Sequence, residues 1–474
     1  KDGYEVPEEK RPSQASPKPD TPDTPGEPPL WTVTKGGRVT LDHQAMADVL
    51  INRYFPITFK RELWIYVDGI YQPEEGEIQE FVAQVARRAG FTGSIITAVR
   101  EVTAYMAASR IEREYPFNQY PDALPVANGV LEIDWNLREV TLRPYAPKYL
   151  FTHKWPVIFD KSADSAPFHD MVLSRYVDDE ETEALYQIPA QAILHFLGYG
   201  PFKKSYILEG PANGGKSTYL VNWMNCLFGE KVISNVSLQA IGMDRFAASK
   251  LEGCVINRGD DLADIPLENI ESFKKYTGSF SHDIERKFMP AYPGRITAVH
   301  IYAANIPPQV PDRVAFDPAF WGRWIYLRFN NVFPVDPGFV KRAFTPEAIS
   351  GSFNRVLKTM FTMHATGALV YEQDLSEVRE AWQAAANPFQ QFVNEQMSPT
   401  RDPVLHDKGH LWQSFNAWAE KKLISPRKIP STITGFTQLI YSSGFTTTRR
   451  GKKNNQEWMY EAKFQFKSDS PYKR

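Results

Sequence analysis

Apolar and polar positions change period along this chain, and the changes mark its parts. Residues 1–30 show no period: eight prolines are mixed with Asp, Glu, Ser, Thr and Lys. Such a segment cannot bury enough apolar surface to fold, so a disordered, proline-rich linker is expected there. Order is expected to begin at Trp31. Arg61–Tyr71 (RELWIYVDGIY) alternates with period two and turns at Asp68-Gly69, a hairpin signal. Glu77–Gly90 sets Ile78, Phe81, Val82 and Val85 at helical spacing and stops at Gly90. A second helix is predicted over Ser94–Ser109. Leu124–Tyr149 breaks at Asn128-Gly129 and at Asp134–Leu137 into the short strands of a meander. Nothing in 31–165 demands chemistry, and that stretch reads as an N-terminal α+β accessory domain.

Helical spacing returns over Phe168–Tyr176 and Glu180–Leu197, a helical collar within 166–200 that stops at Gly198-Tyr199-Gly200. From 201 to about 385 apolar runs alternate with amphipathic ones, an α/β pattern. Strands are predicted at Tyr206–Leu208, Lys231–Ile233, Cys254–Ile256, Ile296–Ala303 and Trp324–Phe329. Helices are predicted at Lys216–Leu227, closed by Gly229, and at Arg245–Lys250. Asp283–Phe288 and Ile296–Ile301 also read as two arms of a hairpin, joined by the turn residues of Pro290–Gly294. Glu347–Ala365 follows Pro346 as a helix, and 371–387 forms another, stopped by Pro388. Phe389–Glu395, Leu411–Lys421 and Ile433–Tyr441 are helix-like. Ser443–Thr448 and Glu457–Phe466 then flank a basic turn from Arg449 to Asn455. Helices followed by a two-stranded wing suggest a winged-helix-like domain over 386–474.

The length of 474 residues allows two to four domains. A net charge of −2 gives no global attraction to polyanions, so any nucleic-acid surface must be local. One local excess exists: residues 421–474 hold 12 Lys and Arg against 3 Asp and Glu. Cys226 and Cys254 are the only cysteines, which excludes a disulfide framework and a four-cysteine zinc site and suits a reducing cytoplasm. No apolar run approaches membrane-spanning length, so no membrane partner is expected. The chain starts with Lys and shows no signal segment; it is expected to be a piece of a longer polypeptide.

The chemistry centres on Ser205–Leu220 (SYILEGPANGGKSTYL). Gly210, Pro211, Ala212, Asn213, Gly214, Gly215, Lys216 and Ser217 match G-x-x-x-x-G-K-[ST], with an apolar strand before and a helix after. A strand, a glycine-rich loop and a helix start together aim backbone N–H groups at an anion. Lys216 would neutralise the β- and γ-phosphates of ATP, and Ser217 would sit on Mg²⁺. Downstream, EGCVINRGDD ends an apolar strand in Asp260 and Asp261, 44 positions after Lys216. Phosphoryl transfer needs one carboxylate to hold the metal, here Asp260, and a second to polarise water. Asn305, at the tip of an internal strand, could orient that water. Arg323, at a strand start, is a candidate arginine finger. Arg286 and Lys287, near the predicted hairpin tip, would suit DNA phosphates, as would Arg449, Arg450, Lys452 and Lys453 of the C-terminal turn.

The ordered series GPANGGKST, GCVINRGDD, FKKYTGSFSHDIERKF, IYAANIPPQVPD and FDPAFWGRW–IYLRF resembles the superfamily 3 (AAA+) helicases of viruses, phages and plasmids. The likeness is greatest to phage and plasmid primase-helicases, whose helicase half is related to the poxvirus primase-helicase. It covers roughly 120–345, and LWIYVDGIY with the LPVANGVLEI meander fits what precedes the core in that family. The resemblance implies Walker A at Lys216 and Ser217, with Thr218 and Lys274 also at the nucleotide, and Walker B at Asp260 and Asp261. It implies a polar sensor at Asn305 and a finger at Arg323, with Arg328 as fallback. Lys287 would lie on a hairpin lining a central channel. The implied protein is a ring, hexameric by resemblance, that hydrolyses ATP with Mg²⁺ and moves along single-stranded or forked DNA, joined to an upstream primase or primase-polymerase domain. Two other readings stand beside it. One is a sequence-specific replication initiator whose ATPase drives assembly; the other is a DNA-packaging or remodelling ATPase.

Overall fold

The structure, a computed structural model, describes residues 29–473 except 261, 263–266, 268, 289, 306, 311–313, 315–316, 423, 425–428, 442 and 451–456. The expected linker thus lies almost wholly outside the described residues, and Asp261, Lys452 and Lys453 lie outside them as well. The chain divides into two compact units, one of residues up to Asn118 with Tyr145–Thr152, the other of Gln119–Pro144 with His153 onward.

In the first unit the hairpin forms where the alternation placed it. Glu62–Val67 pairs with Ile70–Pro73, and Val67 faces Ile70 across the turn. Asp68 and Gly69 both take positive φ, as a two-residue hairpin turn with the right twist requires. Ile57–Phe59 and Ile111–Glu112 complete a four-stranded sheet. Helices His43–Tyr54, Glu77–Ala89 and Ile95–Ser109 enclose Met46, Leu50, Ile65, Ile78, Val82, Val102 and Met106. Asp42 caps the first by accepting from the Ala45 N–H at 2.9 Å. Gly90 ends the second in the left-handed conformation.

The second unit is built on a five-stranded parallel sheet. Its order is Ile233–Ser234, Ile256–Gly259, Val299–Ala304, Ser205–Glu209 and Trp324–Arg328. Ser205–Glu209 is the loop strand, Ile256–Gly259 the acid strand, Val299–Ala304 the asparagine strand and Trp324–Arg328 the arginine strand. The central strands are covered on both faces, which explains their unbroken apolar runs. Helix Asp179–Leu197 lies against the sheet through a polar lock: Gln187 Nε2 donates to the Tyr206 hydroxyl at 3.0 Å, and that hydroxyl donates to Gln191 Oε1 at 2.6 Å. Helix Pro346–Thr366, capped by Thr345, packs where Gly351 approaches the Asp164 carbonyl so closely that a Cβ would lie 1.9 Å from it.

One predicted element is corrected. The hairpin exists, but its arms are Ser281–Ile284 and Tyr292–Arg295, paired antiparallel, in place of the predicted Asp283–Phe288 and Ile296–Ile301. The run beginning at Ile296 continues into the asparagine strand of the parallel sheet, the natural place for a strand buried on both sides. The C-terminal wing also differs. Glu457–Phe466 pairs with Thr446–Arg450 in place of the expected Ser443–Thr448, so Arg449 and Arg450 lie in the strand and not in the turn, and Met397–Asp407 adds a third strand against the other side of Glu457–Phe466. Helices Pro388–Gln396, Lys408–Lys421 and Ile433–Tyr441 close on this sheet around Phe389, Phe392, Phe415, Trp418, Phe436, Phe445 and Tyr460. Among the described residues, no helix is long and apolar enough to cross a membrane.

Candidate nucleotide site

Because all five strands run the same way, their carboxyl ends share one edge. Ligands of open α/β sheets bind at that edge, where the strand order reverses. The loop strand opens there into Gly210–Gly215. Two of its glycines are forced. A Cβ on Gly210 would lie 2.2 Å from the Phe329 carbonyl oxygen. Gly215 has φ +92°, and its Cβ would meet the Tyr176 ring at 2.3 Å. The Gly210 N–H donates to the Ala304 carbonyl at 3.2 Å, and the Phe333 N–H to the Asn213 carbonyl at 3.0 Å. The loop is therefore held between the ends of the asparagine and arginine strands.

Lys216, at the start of the following helix, is 7% exposed. Its ammonium donates to the Gly210 and Pro211 carbonyls at 2.7 Å each and to Asn305 Oδ1 at 3.0 Å. Lys216 and Asn305 thus meet, although 89 residues separate them. The cause is strand order: the asparagine strand lies between the loop strand and the acid strand. Asp260 is exposed just past the end of the acid strand, on the same edge. Ser217 is exposed at the helix start, and Thr218 lines a cavity beside the loop.

That cavity, of about 280 Å³, is bounded by Asn213, Gly215 and Thr218 on the loop side and by Tyr176, Phe333 and Val340 opposite. Tyr176 stacks on Phe329 with ring centroids 5.4 Å apart, and the Arg175 guanidinium lies 5.3 Å from the Phe333 ring centroid. A flat apolar ligand attached to an anion in the loop would meet aromatic walls here.

The helix after the loop contains a π-helical turn over Thr218–Trp223. Such turns leave backbone groups without their usual helical partners. Arg258 of the acid strand answers this, donating to the Leu220 and Val221 carbonyls at 3.3 and 3.4 Å and to Asn225 Oδ1 at 2.8 Å. Its neighbour Asn257 is wholly buried. It accepts from Ser234 Oγ and the Val236 N–H, both at 2.8 Å, and donates to the Val236 carbonyl at 2.9 Å. Its amide also lies 3.1 Å from the Tyr302 hydroxyl and from His300 Nδ1. Sequence reasoning passed over Tyr176, Asn257 and Arg258. The signal for the last two was present: two polar residues inside a buried strand need partners.

Arg323 and Lys274 sit elsewhere. Arg323 precedes the arginine strand, and its carbonyl accepts from the Ser205 N–H at the opposite, amino edge of the sheet. Five residues of strand separate that edge from the loop, about 16 Å at ~3.3 Å per residue. Arg323 Nε donates to Thr277 Oγ1 at 2.9 Å, and its NH2 reaches the Lys274 carbonyl at 3.4 Å. Lys274 itself bonds Asp317 at 3.1 Å and Glu271 at 2.9 Å. The structure thus groups Lys274 with Arg323 and not with Lys216. Arg328 ends the arginine strand opposite Glu209, on the loop's edge.

The Ser281–Ile284/Tyr292–Arg295 hairpin is tied down by ion pairs. Arg286 meets Glu252 at 2.7 Å, Arg245 meets Glu285, and the Tyr292 hydroxyl donates to Glu252. Arg286 and Lys287 help line a cavity of about 350 Å³ with Phe246 and Lys250. Beside them, Phe288 stands fully exposed in the left-handed conformation. Arg449 and Arg450 end their strand at the C-terminal turn.

The site is therefore a glycine-rich, lysine-bearing loop at the carboxyl edge of a parallel sheet, with a polar sensor candidate and an acid beside it. Two family models match the chain. A family of unknown function, DUF5906, spans residues 208–317, and a domain described as D5 N terminal like spans 47–176. No curated protein matches. Among solved structures, the A form apo structure of the NrS-1 C-terminal region is 13% identical, covering 89% of this chain and 99% of that one with a TM-score of 0.46. An apo structure of that region, 15% identical, has a TM-score of 0.44 over the same shares of the two chains.

Proposed function

We propose that this chain is the ATP-hydrolysing motor of a replication primase-helicase, a ring-forming DNA helicase with an AAA+ core and a winged-helix-like C-terminal domain. The observation that carries the reading is the meeting of Lys216 and Asn305 at one edge of the sheet that also bears Asp260, while Arg323 stands at the other edge. The D5 N-terminal-like match over 47–176 supports the replication context.

In this reading the Gly210–Gly215 backbone and Lys216 hold the triphosphate, and the base enters the cavity beside Tyr176. Ser217 and Asp260 supply hard oxygen donors of the kind Mg²⁺ takes, and the ion would neutralise charge developing between the β- and γ-phosphates. Asn305, with Asp261, orients and polarises the attacking water. Arg323 lies about 16 Å from its own loop, so it serves the nucleotide of a neighbouring subunit. Lys274, packed beside it, belongs to the same donated face. The hairpin carrying Arg286, Lys287 and Phe288 meets the DNA strand, its cations on phosphates and its phenyl ring on bases.

The test is ATP-dependent unwinding of forked DNA as Arg323→Ala subunits are mixed into wild type. Unwinding that falls more steeply than the mutant fraction supports shared sites in a ring. A fall in proportion to that fraction refutes them. A second reading, a sequence-specific initiator, draws on the basic C-terminal module; it predicts tight binding to one duplex sequence with no unwinding.

A further inference from the structure

The C-terminal sheet carries an arrangement its core does not require. Trp458 lies on the central strand Glu457–Phe466 and is 51% exposed, while Tyr460 and Ala462, on the same face, are buried. The indole is nonetheless held. Arg449, its cross-strand partner, sets its guanidinium 4.4 Å from the ring centroid. On the other side, Lys408 follows the Asp407–Met459 pair and brings its ammonium 5.3 Å from the Trp458 ring and 4.9 Å from that of Tyr460. Lys408 (the first residue of the helix that follows the edge strand), Trp458 and Arg449 thus form one row, roughly 10 Å wide at ~4.8 Å per strand spacing. Arg450, the next residue, pairs with Glu457 and belongs to the other face of the sheet. On the neighbouring helix the Tyr441 hydroxyl, also exposed, bonds Thr447.

We infer that this row is a stacking site for an unpaired base of single-stranded DNA. A surface that met only phosphates would need cations and no half-exposed indole. A surface that buried an apolar partner would not set two cations against its aromatic ring, because their desolvation opposes burial. An aromatic face flanked by cations matches a base with phosphates on either side. The local charge excess of 421–474 agrees with a polyanionic partner. The two cations also fix the indole's orientation before DNA arrives, so little ordering cost falls on binding. The inference deepens the DNA reading given above, but it does not depend on ATP hydrolysis.

The test uses the full chain without nucleotide, so a failed ATPase reading leaves it intact. Binding of a fluorescent single strand and of a blunt duplex of equal length is measured by anisotropy across a salt series. Trp458→Ala is expected to weaken single-strand binding about 5- to 150-fold, and Trp458→Phe to restore most of it. Duplex binding should change less than about 2-fold, since paired bases offer no free face. The salt slope should survive Trp458→Ala and fall by about 0.7 in Lys408→Gln or Arg449→Gln. Equal loss on both DNAs, or none on either, would overturn the inference and leave the row as a clamp between strands. Photocrosslinking of the unmutated chain to a 5-iodouracil single strand gives an answer free of folding effects. An adduct on Trp458 supports the site, and adducts found only elsewhere refute it.

Discussion

Replacing Lys216 by Met tests the proposed nucleotide site through a contrast between stability and binding. The side chain keeps nearly its length but loses the ammonium that bonds the Gly210 and Pro211 carbonyls and Asn305. Each such charge-assisted bond is worth about 1.5–3 kcal/mol, yet burying the ammonium itself costs several kcal/mol. The two nearly offset, and the nucleotide-free protein should change in stability by no more than about 2 kcal/mol. A bound triphosphate makes a different demand. One unit charge about 4 Å from the ammonium, at an effective dielectric constant near 20, is worth about 4 kcal/mol, or roughly a thousandfold in affinity. Thermal unfolding with and without Mg·ATP reads this directly. At a ligand concentration of about 100 Kd, the wild type gains about 2.7 kcal/mol, and Lys216→Met should gain nothing measurable. Hydrolysis should fall with it. A variant that keeps the ATP-induced shift and hydrolyses within about tenfold of wild type would refute the assignment of Lys216 to the phosphates.

Three further outcomes are expected. Gly215→Ala forces a side chain onto φ +92° and into the Tyr176 ring; it should cost about 1–2 kcal/mol or more and shrink the ATP-induced thermal shift, and an unchanged shift would mean that Tyr176 yields freely. Asn257→Leu strands the Val236 N–H and carbonyl and leaves the Ser234 hydroxyl only the Ile256 carbonyl at 3.5 Å, and should lower the urea-derived stability of the second unit by about 3 kcal/mol; a loss below about 1 would show that water or repacking satisfies them. Burial holds His153 and His195 down to a pKa of about 4 and His300 to about 3, below the ordinary 6.5. Their folded values are depressed, so their contribution is complete above pH 6.5 and is lost as pH falls below it. Moving from pH 7 to 5.5 should cost about 1.2 kcal/mol per histidine, ~3.7 in all, and a flat stability over that range would refute it.

The sheet was legible because its strands are buried on both faces, and runs such as Tyr206–Leu208 and Trp324–Phe329 have few other uses. The loop was legible because Gly210, Gly215 and Lys216 stand at fixed offsets between a strand and a helix. The meeting of Lys216 with Asn305 was harder to see, since it depends on which strand lies between which, and strand order leaves no trace in local pattern. The hairpin's second arm was misplaced for a physical reason. Tyr292–Arg295 contains Pro293 and Gly294 and looks like a turn, whereas the apolar run after it competes for the same role. Met397–Asp407 was missed because Pro399, Asp402 and Pro403 argue against a strand. It is an edge strand with an irregular register between Pro399 and Val404, where proline is tolerated. The π-helical turn at Thr218–Trp223 has no sequence signature that pattern reading could use.

The asparagine strand is hydrogen-bonded on one side to the strand that feeds the glycine-rich loop and on the other to the strand that leads to Asp260. Those three tips are therefore mounted on a stiff plate. Sliding any one past its neighbours would break a ladder of parallel bonds at once. Whatever chemistry happens at the carboxyl edge cannot be reported by the tips changing their spacing. Outside that plate lie side chains such as Lys216, with its three oxygen partners, and the hairpin of Ser281–Ile284 and Tyr292–Arg295. The hairpin is fastened to the body by the solvent-accessible pairs Arg286–Glu252 and Arg245–Glu285. Salt weakens those exposed pairs while leaving the plate, and Ile284 of the hairpin buried in the core, in place, so ionic strength acts on the outer fastenings of the hairpin and hardly at all on the frame.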